Sequence, residues 1–225
     1  MKIFAVIPAG GKGIRSGFSA PKQFVKFNKK ELIVYTLEVF QKNKLIDEII
    51  IAAEEPYFQL LKKIKEKYKL TKIKKIVAGG KERQDSVNNA LSAINANKED
   101  LVVVHDAARP LLKEGVLNNA ISIAKKKGNA LVCIRVKDTL IKAKITVDSY
   151  LDRKEIYNVQ TPQIFKYKDL KKAFEKAYKE KFYGTDESML VKKLGKKIHI
   201  AEGSELNFKI TTKSDFQIFK QLINP

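Results

Sequence analysis

The sequence predicts an α/β fold, a mostly parallel sheet covered by helices on both faces. Short apolar runs at residues 3–7, 48–52, 73–78, 101–105 and 130–134 read as buried strands. Stretches with helical spacing separate them, and such alternation implies parallel strands joined by right-handed crossovers. Glycines follow the first and third runs, at the carboxyl ends of the strands, where open α/β sheets bind their ligands.

The elements follow in chain order. After the first strand, Leu32, Tyr35, Thr36, Val39 and Phe40 form the apolar stripe of an amphipathic helix. Pro56 suits a first helical turn, and Leu60, Leu61 and Ile64 give the next helix its buried face. Residues 86–94 form a third helix on Val87, Ala90, Leu91 and Ile94, with Asp85 or Ser86 as its cap. Val116, Leu117, Ala120, Ile121 and Ala124 mark a fourth, stopped at Gly128. From residue 135 to 158 the alternation breaks into two short extended segments with no helix between them, which reads as a protruding two-stranded β-arm. An isolated hairpin is marginal in water, so the arm is expected to pack on a second subunit. Helical patterns return at 170–178 and 187–194. Strand-like 197–201 and 208–210 follow, then a last helix through Phe216 and Phe219. Residues 1–225 are read as one domain carrying the arm.

Composition narrows the function. No apolar run approaches a membrane span or a secretory signal, so a soluble, cytoplasmic protein without a membrane partner is expected. One cysteine and two histidines exclude an internal disulfide and argue against a zinc cluster. The net charge of +20 suggests nucleic acid at first. Yet of 45 basic residues only five are arginine: Arg15, Arg83, Arg109, Arg135 and Arg153. Sequence-specific nucleic-acid readers lean on arginine, and no recognition motif is present; no nucleic acid is expected. In so lysine-rich a chain, arginine marks places where a planar fork grips an anion.

Three segments carry chemistry. Pro8–Gly17 places four glycines after the first strand, a backbone nest for phosphate. It closes neither as a Walker A loop nor as a dinucleotide fingerprint. Arg15 and then Pro21-Lys22-Gln23 add cations suited to a triphosphate. Gly79-Gly80 opens a second turn with Arg83 and Ser86, the serine a polar handle for a base, although taken on its own the segment reads better as a plain strand-to-helix turn. Third, an apolar strand delivers Asp106 to its carboxyl end, able to help hold Mg²⁺ or orient a hydroxyl, with Arg109 as an anion fork. His105 reads as a structural strand-end residue.

Together these segments resemble the 2-C-methyl-D-erythritol 4-phosphate cytidylyltransferase family. The matching motifs are the glycine loop with Arg15, Pro21-Lys22-Gln23, Gly79-Gly80 with Arg83 and Ser86, and His105-Asp106-Ala107-Ala108-Arg109-Pro110. Val136-Lys137-Asp138-Thr139, Gln160-Thr161-Pro162-Gln163, Thr185-Asp186-Glu187 and Asn207-Phe208-Lys209-Ile210-Thr211-Thr212 continue the match in order, to about residue 215. One departure is Gly10, where the family commonly has alanine. No fused second enzyme of the pathway is expected.

The resemblance implies a Rossmann-like nucleotidyltransferase, dimeric through the arm, using CTP and Mg²⁺. It places CTP against Ala9, Gly10, Gly13, Arg15, Lys22, Gly80 and Ser86. Arg15 and Lys22 match the positions that stabilise the charged transition state. Arg153 and Thr139, on the arm, match residues gripping the substrate phosphate of the partner's site, and Lys209 matches the lysine that positions that phosphate. Asp106, Arg109 and Thr185 match positions near the methylerythritol hydroxyls and the nucleotide, Asp106 being also the candidate metal ligand. Alternatives are a ribitol 5-phosphate cytidylyltransferase and a basic nucleic-acid-binding module. Ala107-Ala108-Arg109 and Thr185-Asp186-Glu187 favour the methylerythritol enzymes.

Overall fold

A computed structural model describes residues 1–11 and 20–223. Among the described residues seven strands form the main sheet, in the order β11 (Ile200–Glu202), β7 (Asn129–Arg135), β10 (Tyr157–Lys166), β6 (Leu101–Val104), β1 (Ile3–Pro8), β4 (Glu48–Ala53) and β5 (Ile73–Ala78). A separate ribbon pairs β2 (Lys26–Phe27) with β3 (Lys30–Glu31). Strands β1, β4, β5 and β6 are mutually parallel, as the alternation requires. β1 shows why both faces are covered. Its side chains alternate, Ile3, Ala5 and Ile7 to one face, Phe4 and Val6 to the other, and all are buried. The first face packs on α1 (Leu32–Lys42), α2 (Phe58–Lys67) and α4 (Glu114–Lys127) through Leu37, Phe40, Leu61, Ile64, Leu117 and Ile121. The second packs on α3 (Arg83–Ser92), α5 (Tyr167–Lys179) and α6 (Glu187–Lys192) through Val87, Leu91, Leu170, Phe174, Leu190 and Val191. Gly128, at φ +89°, ends α4 in the left-handed conformation that glycine adopts freely.

Several boundaries differ from expectation. Helix α3 starts at Arg83, capped by Glu82, whose side chain accepts from the Asp85 backbone while Asp85 accepts from the Glu82 N–H at 2.9 Å. Neither Asp85 nor Ser86 is the cap. The strand expected at 197–201 is β11 (Ile200–Glu202), parallel to β7 (Asn129–Arg135). Residues 208–210 form no strand, although Ile210 N–H donates to Ala108 O at 2.9 Å. There Ile210 enters a third apolar cluster with Leu32, Ala108 and, from α7 (Lys213–Leu222), Phe216 and Phe219.

The largest omission is β10 (Tyr157–Lys166), which runs antiparallel between β6 and β7. Gln160-Thr161-Pro162-Gln163 looks like a loop, because proline and polar side chains seldom sit in a central strand. Here the polar side chains are buried and find partners at long range: Gln160 Nε2 donates to Ser204 O at 2.9 Å, and Gln163 Oε1 accepts from Ser188 N–H at 3.0 Å, while Gln163 Nε2 has no partner among the described residues. The ladder with β7 shifts register between Val159 and Gln163, across the proline. The arm is present as expected: β8 (Leu140–Ala143) pairs antiparallel with β9 (Val147–Leu151), with Ile141, Val147, Tyr150 and Leu151 exposed. Among the described residues no helix is long and apolar enough to cross a membrane.

Candidate active site

Parallel strands bring their carboxyl ends together, and the turns leaving β1, β5 and β6 meet around a cavity of about 380 Å³. Ala9 N–H donates to Ala52 O at 2.7 Å and Gly79 N–H to Ala53 O at 2.8 Å, so both glycine turns are pinned to the end of β4, which lies between β1 and β5. Gly80 has a steric reason: a Cβ there would lie 2.1 Å from Asp85 Cβ. Ser86 Oγ accepts from Gly80 N–H at 3.0 Å and donates to Glu82 O at 3.2 Å, clasping the turn to α3. Across the cavity, buried Gln23 donates through Nε2 to Ala9 O at 2.6 Å and Gly11 O at 3.0 Å. That side chain ties the short 3₁₀ turn Lys22–Phe24 to the end of β1 and sets Lys22 in the cavity wall.

Cations converge on one carboxylate at the end of β6. Asp106 Oδ1 lies 3.1 Å from Arg83 Nε; its Oδ2 lies 3.0 Å from Lys209 Nζ and 3.5 Å from Arg109 Nε. Burial opposes ionisation of Asp106, but Arg83, Lys209 and Arg109 outweigh it and hold its titration well below the usual carboxylate range. Arg83 also donates through Nη1 to Glu187 Oε1 at 2.7 Å. Burial pushes the Glu187 carboxyl up against the pull of Arg83, while Glu187 and Asp106 lift the guanidinium in spite of its burial. Arg109 Nη1 donates to Asn207 O at 2.7 Å, linking this cluster to the segment that carries Lys209.

His105 is the hidden brace of the Asp106 turn. Its ring is fully buried, with Nε2 3.1 Å from Arg109 O and Nδ1 3.0 Å from Thr161 Oγ1. A carbonyl only accepts, so Nε2 carries the proton and Nδ1 accepts from the Thr161 hydroxyl. The same hydroxyl accepts from Asp106 N–H at 3.1 Å. Burial lowers the His105 pKa to about 4, leaving the ring neutral at physiological pH.

The family model IspD, 2-C-methyl-D-erythritol 4-phosphate cytidylyltransferase, matches residues 3–224. The enzyme of that name from Clostridioides difficile (strain 630) is 40% identical over 223 residues, 97% of this chain and 92% of that protein. The one from Clostridium perfringens (strain SM101 / Type A) is 40% identical over 226 residues, 99% of each. The chain belongs to the IspD family. Among solved structures, 4-diphosphocytidyl-2C-methyl-D-erythritol synthase from Anaerococcus prevotii DSM 20548 aligns with TM-score 0.86 at 28% identity, covering 100% of this chain and 99% of that one. The Francisella tularensis IspD aligns with TM-score 0.83 at 30% identity, covering 98% and 99%.

Of the residues the sequence singled out, Ala9, Gly10, Lys22 and Gly80 line the cavity, as do Ser86, Asp106 and Lys209. Gly13 and Arg15 lie outside the described residues. Arg109 joins the site through Asp106 and Asn207 without lining the cavity. Thr139 and Arg153 are exposed on or beside the arm, where Arg153 Nη1 donates to Lys137 O at 2.5 Å; Thr185 is also exposed, its hydroxyl 3.1 Å from Met189 Sδ. None of these three lines the cavity. As a metal ligand Asp106 is encumbered, since both its oxygens already face cations. The described residues contain no group of three His, Cys, Asp or Glu placed to hold a metal ion. Sequence reasoning gave Glu187 no role of its own. Its signal was a carboxylate on the face of α6 that also presents Leu190 and Val191 to the core.

Proposed function

We propose that this chain transfers CMP from CTP to 2-C-methyl-D-erythritol 4-phosphate, forming 4-diphosphocytidyl-2-C-methyl-D-erythritol and pyrophosphate. The observation that carries the reading is the cavity itself: two backbone turns with Lys22, Arg83 and Lys209 in its walls, inside a chain of this family. A 4-phosphate oxygen attacks the α-phosphorus of CTP in line; the new P–O bond forms as the bond to the β-phosphate breaks, and pyrophosphate leaves with the electron pair. No protein nucleophile takes part. The reactants repel each other, so the protein's task is to neutralise and align them. The glycine turns offer close backbone approach to the nucleotide, Ser86 is a polar handle for a base, and Lys22 in the cavity wall neutralises the charge developing at the α-phosphorus, a role the family resemblance also gives to Arg15.

Lys209 is set for the incoming phosphate. It is 38% exposed and held by Asp106 at 3.0 Å, while Ile210 beside it is anchored in the third apolar cluster. Thr139 and Arg153 reach the acceptor phosphate only from a neighbouring subunit, which makes the working unit a homodimer joined through the arms. The exposed Ile141, Val147, Tyr150 and Leu151 support that assignment, since an apolar, otherwise unsupported hairpin gains stability by being covered. A divalent cation such as Mg²⁺ is supplied with the triphosphate, whose oxygens are its preferred ligands; the paired Asp106 does not fit the role of its main holder. Pyrophosphate release measured with CTP, ATP, GTP and UTP, and with methylerythritol phosphate or ribitol 5-phosphate as acceptor, tests the assignment. Preference for CTP and methylerythritol phosphate is expected; faster use of ribitol 5-phosphate overturns the acceptor, and tight nucleic-acid binding without CTP turnover overturns the class.

A further inference from the structure

Glu187 does not line the cavity, yet it is the most deeply buried charged group of the cation cluster, with 1% of its side chain exposed. Its position is determined twice over. Leu190 and Val191 anchor α6 in the core, and Ser188 N–H, next to Glu187, donates to Gln163 Oε1 on β10 at 3.0 Å. Glu187 Oε2 has no hydrogen-bond partner among the described residues, so the hold of this anchored side chain on the cluster runs through Oε1 alone. The partner of Oε1 is Arg83, which does line the cavity, with 28% of its side chain exposed.

Arg83 therefore stands between two competing demands. Its Nε serves Asp106 at 3.1 Å and its Nη1 serves Glu187 at 2.7 Å. A guanidinium in the wall of a triphosphate site is also drawn towards phosphate, which it binds as a fork. Asp106 alone could not retain it, because that carboxylate is shared with Lys209 and Arg109. Counting Arg83, Arg109 and Lys209 against Asp106 and Glu187 leaves the cluster one net positive charge. Without Glu187 it would carry two, and Arg83 would have lost its closer anchor.

We propose that Glu187 is a positioning residue: it keeps Arg83 on Asp106 and away from the phosphates, so that pyrophosphate is not over-bound and Asp106 keeps its orientation. This rests on the cavity being the triphosphate site. Glu187→Gln preserves the shape and an acceptor for Arg83 while removing the charge. Pyrophosphate affinity is measured by calorimetry, and kcat with CTP and the acceptor. The expected variant binds pyrophosphate several-fold tighter and turns over roughly ten- to a hundredfold more slowly. A residue that merely stapled α6 to α3 would weaken binding as it loosened the fold. The tighter binding should vanish in Arg83→Gln/Glu187→Gln, since Glu187 acts through Arg83.

Pyrophosphate binding that is unchanged or weaker in Glu187→Gln, or tighter binding that survives loss of Arg83, overturns the proposal. Should Glu187→Gln fail to fold, Arg83→Gln alone decides: pyrophosphate affinity equal to the parent's supports the proposal, because Arg83 is kept off the phosphates, and clearly weaker affinity overturns it. The binding measurements need no acceptor. A parent that binds pyrophosphate but ignores methylerythritol phosphate therefore sinks the proposed reaction alone, whereas a parent that binds neither CTP nor pyrophosphate sinks both readings.

Discussion

Acidification should destabilise this protein through His105 well before most carboxylates titrate. The ring is fully buried and neutral, and its pKa falls from the ordinary 6.5 to about 4 because burial penalises the imidazolium. The unfolded chain therefore binds a proton at higher pH than the folded one. The sign follows: the contribution is complete above about pH 6.5 and is lost as the pH falls towards about 4. The full gap between those values corresponds to about 3 kcal/mol. Between about pH 7 and pH 5 the loss comes to about 2 kcal/mol, a sizeable part of a typical domain's stability. Urea unfolding of the parent and of His105→Gln at both pH values isolates the effect, because other titrations cancel in the comparison. The variant should be less stable at pH 7, because the substitution disturbs the contacts of His105 to Thr161 and Arg109. On going to pH 5, however, the parent should lose about 2 kcal/mol more than the variant does. Equal losses, with equal dependence on urea, would refute both the neutral tautomer and the hydrogen-bond chain built on it.

Other substitutions probe the cavity and the arm. Lys22→Ala should lower kcat by about a hundredfold or more, the usual cost of removing a group aimed at developing charge; parent-like turnover in a steady-state pyrophosphate assay would remove Lys22 from the mechanism. Gly80→Ala should cost about 1–3 kcal/mol or more in urea unfolding and weaken CTP binding, because the new methyl would sit 2.1 Å from Asp85 Cβ. Gly10→Ala is the control: its Cβ meets Ser86 Oγ at an ordinary 3.4 Å, so stability and CTP affinity should hold. Arg153→Ala should raise KM for the sugar phosphate with little change in CTP affinity, read from initial rates at varied acceptor; a selective effect on CTP would place the arm elsewhere.

Much of this site was legible in the chain itself. Buried parallel strands leave unbroken apolar runs, and those at β1, β4 and β6 appear where the sequence put them; β5 also appears, but as an edge strand that carries Lys74 and Lys75 and is largely exposed rather than buried. Gly80 and Gln23 lie within the short motifs that signalled ligand, and the structure supplies their reasons, one steric and one a pair of hydrogen bonds. Less was legible wherever polar groups are buried. Strand β10 was unreadable because Gln160, Thr161 and Gln163 are tolerated inside the sheet only through distant partners such as Ser204 and Ser188.

The sequence by itself determined the layered architecture, the arm, and the glycine turns that line the cavity, because local periodicity and glycine placement are properties of neighbouring residues. Only the tertiary structure decided the electrostatics of the site. It placed Arg83 between Asp106, 23 residues along, and Glu187, 104 residues along. It also drew Thr161 from a strand the sequence concealed into the brace around His105. A Coulomb energy depends on distance in space and on the loss of water between charges, and neither quantity is written in the spacing of residues along a chain.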